Sequence, residues 1–305
     1  MAGARNTAAV VAPSRRGEAR AALVFLAPWL LGLIGLTAMP MLGSLLLSFT
    51  NYDILSSPDW VGLANYERLF GNDRRYLQAL EVTTLYVLVS VPLDVAFALI
   101  VAVTLSGSTR VANFFRGVFY LPSLLGGSVA IGVLWRQIFG SDGILTHAFG
   151  MIGLQATSWV GSPKTAIWTL IILNVWQFGA PMVIFLAGIR QIPKDITQAA
   201  IMDGAGPVKR FLLITLPLLS PLILFNLVMQ MIVAFQAFVP AYVISDGSGG
   251  PIDSTLFYTL YLYIEGFKNF HMGYAMAMAW VLLAIIAGFT ALAFVTARRW
   301  VHYEA

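Results

Sequence analysis

Five uncharged amide side chains stand inside long apolar stretches of this 305-residue sequence, where polar groups are costly unless they face a cavity or a partner. Asn174 and Gln177 are three residues apart and Asn226 and Gln230 are four apart, so each pair shares one face of a helix. Gln236 follows the second pair. Carboxamides donate and accept hydrogen bonds, and neighbouring aromatic rings can stack on C–H surfaces. The pattern therefore favours a path for a hydroxyl-rich solute.

The same amides have an alternative interpretation, in which they join helices to one another. Asp94 is the one acid well inside an apolar stretch, and capping the backbone freed by Pro92, or pairing with a partner protein, is favoured over solute contact. The three histidines, His147, His271 and His302, lack the spacing of metal ligands, and the sequence has no cysteine. No clustered nucleophile and base is present. The sequence predicts neither a catalytic centre nor a metal or cofactor site.

The elements that must position these residues are membrane-spanning helices. The sequence is 59% hydrophobic and 10% charged, whereas soluble domains carry roughly 25% charged residues. Lipid offers backbone groups no hydrogen-bond partners, so spanning runs of about 20 residues must be helical. The predicted fold class is an all-α integral membrane protein with six transmembrane helices, in the runs 21–47, 78–105, 117–139, 165–189, 216–239 and 272–296.

The distribution of basic residues predicts the orientation of these helices. With the N-terminus inside, twelve Lys and Arg residues lie in cytoplasmic connections and six on the other face, as the positive-inside rule requires. Both termini are then cytoplasmic. We expect a disordered tail over residues 1–20, a six-helix domain over 21–297 and a second cytoplasmic tail over 298–305. The first run is too long for a signal peptide and is predicted to be an uncleaved anchor.

A polar, glycine-containing segment, QAAIMDGAGPVKRFLLITLPLL, connects the fourth and fifth runs on the predicted cytoplasmic side. Gly204 and Gly206 interrupt a helical pattern and Pro207 can begin a new helix, so two short helices meeting at DGAGP are expected. Asp203 is placed to cap the break. Small residues allow another protein to approach the backbone closely. The alternative is an ordinary turn.

This segment resembles the EAA loop of ABC importer permeases. The matching residues are Ala199, Ala200, Asp203, Gly204, Ala205, Phe211, Ile214, Leu216 and Pro217. Gln198 departs from the pattern, because the family usually has Glu there, which leaves an ionic contact from this position in doubt. Stretches such as WVGLANYERLF from Trp60 and MGYAMAMAWVLL from Met272 are similar to the carbohydrate-uptake branch, the permeases of maltose and glycerol-phosphate type.

The resemblance implies a type I ABC importer permease in a bacterial or archaeal cell membrane. It implies a heterodimer with a second, homologous permease, two ATPase subunits that use ATP and Mg, an external solute-binding protein, a sugar substrate and no nucleic acid. The coupling loop is expected over residues 190–216. The residues expected to contact the ATPase are Gln198, Ala199, Ala200, Asp203, Gly204, Ala205, Gly206 and Phe211. The sequence has no phosphate-binding loop of its own, since GSPKT at Gly161 lacks the required glycines.

Two other functions remain open at this point. A permease for glycerol phosphate or a related polyol phosphate would need basic residues along the path, and Arg136 is the one candidate. An ion-coupled secondary transporter would need intramembrane carboxylates, for which Asp94 alone is weak support.

Overall fold

The computed structural model describes residues 15–151 and 158–302, and this part of the chain is predominantly helical. Four helices are long and apolar enough to cross a membrane. The first, second, fourth and sixth spans are Ala22–Leu47, Arg74–Thr104, Ala166–Gln191 and Met272–Ala297. Each agrees with a predicted run to within a few residues, because continuous hydropathy of spanning length is a strong signal.

The third and fifth predicted runs are not straight helices. Arg110–Leu124 and Val129–Met151 meet at 101°, and Pro207–Leu218 and Ser220–Phe235 meet at 66°. Gly126 and Gly127 lie in the first break, and prolines flank the second, so helical hydrogen bonds are interrupted at both. The predicted six spans are therefore four single helices, or up to six if each bent pair counts as one.

The first helix begins earlier than predicted. Its α-helical part is Arg15–Gly32, followed by the π-helical Leu33–Ala38 and then Met39–Leu47. Residues 15–20 were predicted to belong to a disordered tail but are helical, since the first helix extends toward the N-terminus beyond the apolar run. Residues 1–14 and 303–305 of the predicted tails lie outside the described residues. Within this chain, the most apolar 18-residue stretch of the first span has no buried residue.

Short elements connect the spans. Strands Thr50–Asn51 and Asp59–Trp60 pair antiparallel. The fourth span divides into Ala166–Trp176 and Gly179–Gln191. Other helices are Ala64–Glu67, Val129–Phe139, Ile144–Met151, Lys194–Met202, Pro207–Arg210, Leu216–Leu218, Val239–Ile244 and Tyr258–Tyr263. Further π-helical segments are Arg68–Asn72, Phe211–Thr215 and Ile264–Lys268, and Pro251–Asp253 is a 3-10 turn.

The second span is the centre of the packing. It contacts both parts of the fourth span and the Ser220–Phe235 helix. Ala79, Ala98 and Ala102 on this span are fully buried, and such small side chains let neighbouring helices approach closely. Larger residues, including Leu170 and Phe185 of the fourth span, fill the space around it.

A polar cluster ties the predicted outer end of the second span to the last connection of the chain. The hydroxyls of Tyr261 and Tyr274 each donate to Asp73 Oδ2 over 2.6 Å, and the amide of Tyr76 donates to Oδ1 over 2.9 Å. Burial would raise the pKa of Asp73, but these hydrogen bonds outweigh it, so the pKa lies below the ordinary carboxyl value of 3.8. The charged carboxylate therefore stabilises this end of the fold.

Asp73→Asn is expected to lower the free energy of unfolding by about 1 to 3 kcal/mol, since it removes a charged hydrogen-bond acceptor. Because the folded-state pKa is lowered, the stabilisation is present above pH 3.8 and is lost as the pH falls through the folded-state value. Thermal unfolding in detergent at pH 7 and below should show the difference between variant and parent shrinking on acidification. Asp59→Asn, at an exposed position, is the control. Equal stability of both variants at pH 7 would contradict this role.

Candidate functional site

A cavity of about 300 Å³ lies where the second and fourth spans meet the end of the Ser220–Phe235 helix. Its polar lining comes from Tyr86, Asn174, Gln177 and Gln236, and Phe238 is among its apolar residues. No charged side chain lines it within the described chain. Three of the five predicted path residues therefore share one space.

Three interruptions of helices converge at this cavity. The first part of the fourth span ends at Trp176, so Gln177 lies just beyond a helix end, and Gln236 follows the end of Ser220–Phe235 in the same way. Gly127, in the break of the third run, also lines the cavity and has a φ of +73°, which glycine adopts without strain. Broken helices at membrane depth supply polar groups to a substrate site, because their last backbone carbonyls lack helical partners.

Tyr86 is a cavity residue that the sequence analysis missed. Its hydroxyl donates to Asn174 Oδ1 over 3.1 Å, and its ring packs on Phe257 with centroids 4.5 Å apart. This hydrogen bond uses the side-chain oxygen of Asn174, so the side-chain NH2 group of Asn174 remains available as a donor. The sequence did contain an indication of this role. Tyr86, Ser90 and Asp94 follow one another at intervals of four residues, which places three polar side chains on one face of the second span.

Asn226 and Gln230, also predicted as path residues, do not line this cavity, so the structure does not group them with Asn174, Gln177 and Gln236. Asn226 is 2% exposed, and its side-chain amide donates to the backbone carbonyl of Leu222 in its own helix. Gln230 donates to Asp94 Oδ2 over 2.6 Å. Gln230 therefore joins two helices, as the alternative interpretation held, whereas the hydrogen bond of Asn226 stays within one helix.

Asp94 is fully buried, and within the described residues it makes no hydrogen bond to the backbone near Pro92. Its Oδ2 accepts from Gln230 of the Ser220–Phe235 helix, and its Oδ1 has no hydrogen-bond partner among the described residues. The contact joins the second span to the fifth run inside this chain. Asp94 is also absent from the cavity lining, so it does not contribute a charge there.

The connection between the fourth and fifth runs is a two-helix segment, formed by Lys194–Met202 and Pro207–Arg210, as predicted. The first helix ends at Met202 and is followed by Asp203 and by Gly204, which has a φ of +76°. The amide of Ala205 donates to the carbonyl of Ala200 over 2.9 Å, and that of Gly204 to Ile201 over 3.0 Å. These two bonds form a Schellman motif, in which glycine in the left-handed conformation terminates a helix.

The predicted ATPase-contact residues differ in exposure. Gln198, Ala199, Asp203, Gly204 and Gly206 are exposed, and Ala205 is partly buried. Ala200 is only 8% exposed and Phe211 packs against the core cluster around Phe185, so these two support the segment from inside. The carboxylate of Asp203 makes no hydrogen bond within residues 15–151 and 158–302, which corrects the predicted cap. Gly206, not Asp203, occupies the N-cap position of the second helix.

The surface of the two-helix segment is apolar as well as accessible. Met202 is 87% exposed, Val208 69% and Ile201 52%. A Cβ atom added at Gly204 or at Gly206 would meet nothing within 4 Å. The elbow between the helices is therefore an open, small-residue surface flanked by apolar side chains, which is typical of a contact site for another protein.

Comparison with known proteins decides the family. The profile described as binding-protein-dependent transport system inner membrane component matches residues 74–302. The chain belongs to this family. The resemblance to ABC importer permeases is confirmed, and the chain is a permease subunit, an inner-membrane component, of a binding-protein-dependent transport system.

Curated relatives of this permease match it over nearly their whole length. The probable ABC transporter permease protein YesP of Bacillus subtilis (strain 168) is 49% identical over 293 residues, which cover 96% of this chain and 95% of the relative. The lactose transport system permease protein LacF of Rhizobium radiobacter is 32% identical over 283 residues, covering 90% and 93%.

The fold of the permease also matches a solved structure. A chain of the bacterial alginate ABC transporter, crystallised in complex with an alginate pentasaccharide-bound periplasmic protein, superposes with a TM-score of 0.75. The match covers 92% of this chain and 95% of that chain at 20% sequence identity. The predicted ABC importer permease fold is confirmed at the level of architecture.

Proposed function

We propose that this permease moves a sugar or oligosaccharide from an external binding protein to the cytoplasm. The observation that carries the proposal is the convergence of Asn174, Gln177 and Gln236 on one cavity beside Phe238. Neutral carboxamides can donate to and accept from sugar hydroxyls, and an aromatic ring offers a surface for sugar C–H groups. The relative named for lactose and the structural match named for alginate support a carbohydrate substrate.

The two alternatives have less support. A polyol phosphate would need a cation at the site, but Arg136 lines a different cavity and forms an ion pair with Asp246. An ion-coupled transporter would need an accessible acid on the path, whereas Asp94 is fully buried against Gln230. The cavity that holds Asn174, Gln177 and Gln236 therefore offers no cation to a phosphate group.

The assembly follows from the same proposal. The permease pairs with a second, homologous permease, and two ATPase subunits bind on the cytoplasmic side and use ATP with Mg. The solute-binding protein delivers the sugar on the outer side. Both termini of the permease are cytoplasmic, which agrees with the distribution of basic residues. The protein is a multi-pass component of a bacterial cell membrane and has no catalytic role of its own.

The two-helix segment is proposed as the contact with the ATPase. Its elbow leaves open space around Gly204 and Gly206, and Met202 and Val208 present exposed apolar side chains beside it. Lys209, the exposed basic residue of the second helix, can add an ionic contact. Gln198 is exposed, so its carboxamide can donate a hydrogen bond where the family pattern has a carboxylate.

Uptake by the complete transporter tests this function. The cognate binding protein is first screened by thermal shift against neutral mono- and oligosaccharides and glycerol phosphate. The transporter is then reconstituted in vesicles with its partner permease and ATPases, and uptake of the labelled ligand is measured. We expect a sugar ligand and uptake that requires enclosed ATP, with vesicles lacking the binding protein as the control. Uptake driven by an ion gradient without ATP, or glycerol phosphate as the ligand, would contradict the proposal.

A further inference from the structure

The segment that follows the sixth span is attached to the bend of the fifth run. The backbone amide of His302 donates to the Ser220 hydroxyl over 2.9 Å, across 82 residues of sequence. The same hydroxyl donates to the carbonyl of Pro217 over 2.6 Å. Ser220 is 3% exposed. One side chain thus links three parts of the chain: the helix Pro207–Leu218, the helix Ser220–Phe235 and the segment 298–302.

Two prolines explain why this hydroxyl matters at the bend. Pro221 has no N–H, so the carbonyl of Pro217, four residues earlier, lacks the donor that a continuous helix would supply. Ser220 supplies a side-chain donor instead. Proline kinks a helix at such a position, because its ring clashes with the preceding turn and one helical hydrogen bond is lost. Neighbouring groups that contact the kink can then add to what sets the angle of 66°.

The segment 298–302 is such a neighbour. Trp300 and Val301 pack against the buried Leu224 and Val228 on the Ser220–Phe235 helix. The amide of Val301 also donates to the carbonyl of Ala297 over 2.8 Å, which connects the segment to the end of the sixth span. The segment is therefore held by the fifth and sixth spans, and through His302 it reaches the bend.

The bend lies between a packed face and a cavity. Leu219 at the bend is 1% exposed and packs in one cluster with Phe185 of the fourth span. Beside this contact, a cavity of about 490 Å³ is bounded by Gln191, Leu218 and His302. Hinges are a few residues at the ends of elements that absorb a change in backbone angles, and the bend is such a position.

We propose that Trp300–His302 is a positioning element, which sets the angle between Pro207–Leu218 and Ser220–Phe235 through Ser220. Motion of the two-helix segment is then transmitted to the fifth run instead of being absorbed at the bend. The inference rests on the proposed function, since it requires the ATPase to contact the two-helix segment. Allosteric transmission depends on a difference in contacts between two states. His302 contacts Ser220, which lies at the point where the chain passes from Pro207–Leu218 into Ser220–Phe235.

Ser220→Ala tests the proposal, because it removes both hydrogen bonds and little volume. In the complete reconstituted transporter, we expect the number of sugar molecules imported per ATP hydrolysed to fall at least about fivefold, since the loss of a single hydrogen bond already shifts an equilibrium by about that factor. The ATPase should still copurify in normal amount. Ser220→Thr keeps the hydroxyl and should restore the ratio. Trp300→Ala should lower it as well, by freeing the segment from Leu224.

Ser106→Ala is the matched control. The Ser106 hydroxyl also donates to a carbonyl three residues earlier, that of Val103 over 2.8 Å, but it accepts no bond from a distant segment. An unchanged ratio in Ser220→Ala would overturn the inference, as would a fall in uptake and hydrolysis in proportion with a lowered melting temperature. Loss of the bound ATPase would overturn it too. Failure of the ATPase to bind even the unmodified permease would instead refute the proposed function.

Discussion

Replacing Gly204 with arginine is expected to detach the ATPase subunits while the permease remains inserted. Gly204 has a φ of +76°, which costs a residue with a Cβ about 1 to 2 kcal/mol, and the new side chain would project into the open space beside the elbow. Asp203→Lys should act in the same direction by reversing an exposed charge. Uptake should fall to background. Copurification of the ATPase with the tagged permease is the measurement.

Two further variants separate the causes of this effect. Gly204→Ala adds the backbone strain without the bulk, so it should retain most of the ATPase. Gly107→Arg places the same side chain at another glycine with open space around it, in the connection that follows the second span. It should bind the ATPase normally. If Gly204→Arg and Asp203→Lys both copurify with a normal amount of ATPase, the two-helix segment is not the contact.

Alanine at Asn174 or Gln177 is expected to impair passage of the sugar more than assembly. Each substitution leaves sugar hydroxyls without a partner, at about 1 to 3 kcal/mol, or about 5- to 150-fold in affinity. Tyr86→Phe should have a smaller effect in the same direction, because it releases the Asn174 carboxamide. Uptake, binding-protein-stimulated ATP hydrolysis and thermal stability should be measured on the same samples. The diagnostic result is hydrolysis that persists while uptake falls.

The chain supplies matched amide controls for these variants. Asn226 bonds to its own helix and Gln230 bonds to Asp94, and neither lines the cavity. Asn226→Ala should cost about 0.6 kcal/mol of stability, an average value for polar contacts in a helix bundle, and leave uptake intact. Gln230→Ala should cost more, because it leaves the buried Asp94 without its donor. Wild-type uptake by the variants at Asn174, Gln177 and Tyr86 would refute the site.

The sequence predicted the spans well, because hydropathy over twenty residues depends little on tertiary contacts. It predicted the two-helix segment equally well, since glycine and proline act locally on the backbone. It did not predict the bends of 101° and 66°, although Gly126, Gly127 and Pro221 were visible. Hydropathy continues across such breaks, so the apolar run alone cannot distinguish a straight helix from a bent pair.

The residues that line the cavity were predicted in part, for a related reason. Spacing places Asn226 and Gln230 on one face of a helix, but it does not say what that face meets. Only the packing shows that Gln230 meets Asp94, whereas Gln177 and Gln236 lie at helix ends that open on a shared cavity. Tyr86 was overlooked because a tyrosine within an apolar run also suits a core position, and its hydrogen bond to Asn174 is a tertiary contact.

The cluster around Asp73 also has a consequence for synthesis of the protein. Its tyrosine donors lie 188 and 201 residues further along the chain. At about 5 to 20 residues per second, the ribosome needs roughly 10 to 40 seconds to add them after Asp73 has been made. The second span, Arg74–Thr104, is made early in that interval, but its Asp73 end still lacks these partners. This end of the permease can therefore form its full set of hydrogen bonds only after Tyr274 of the sixth span has been made.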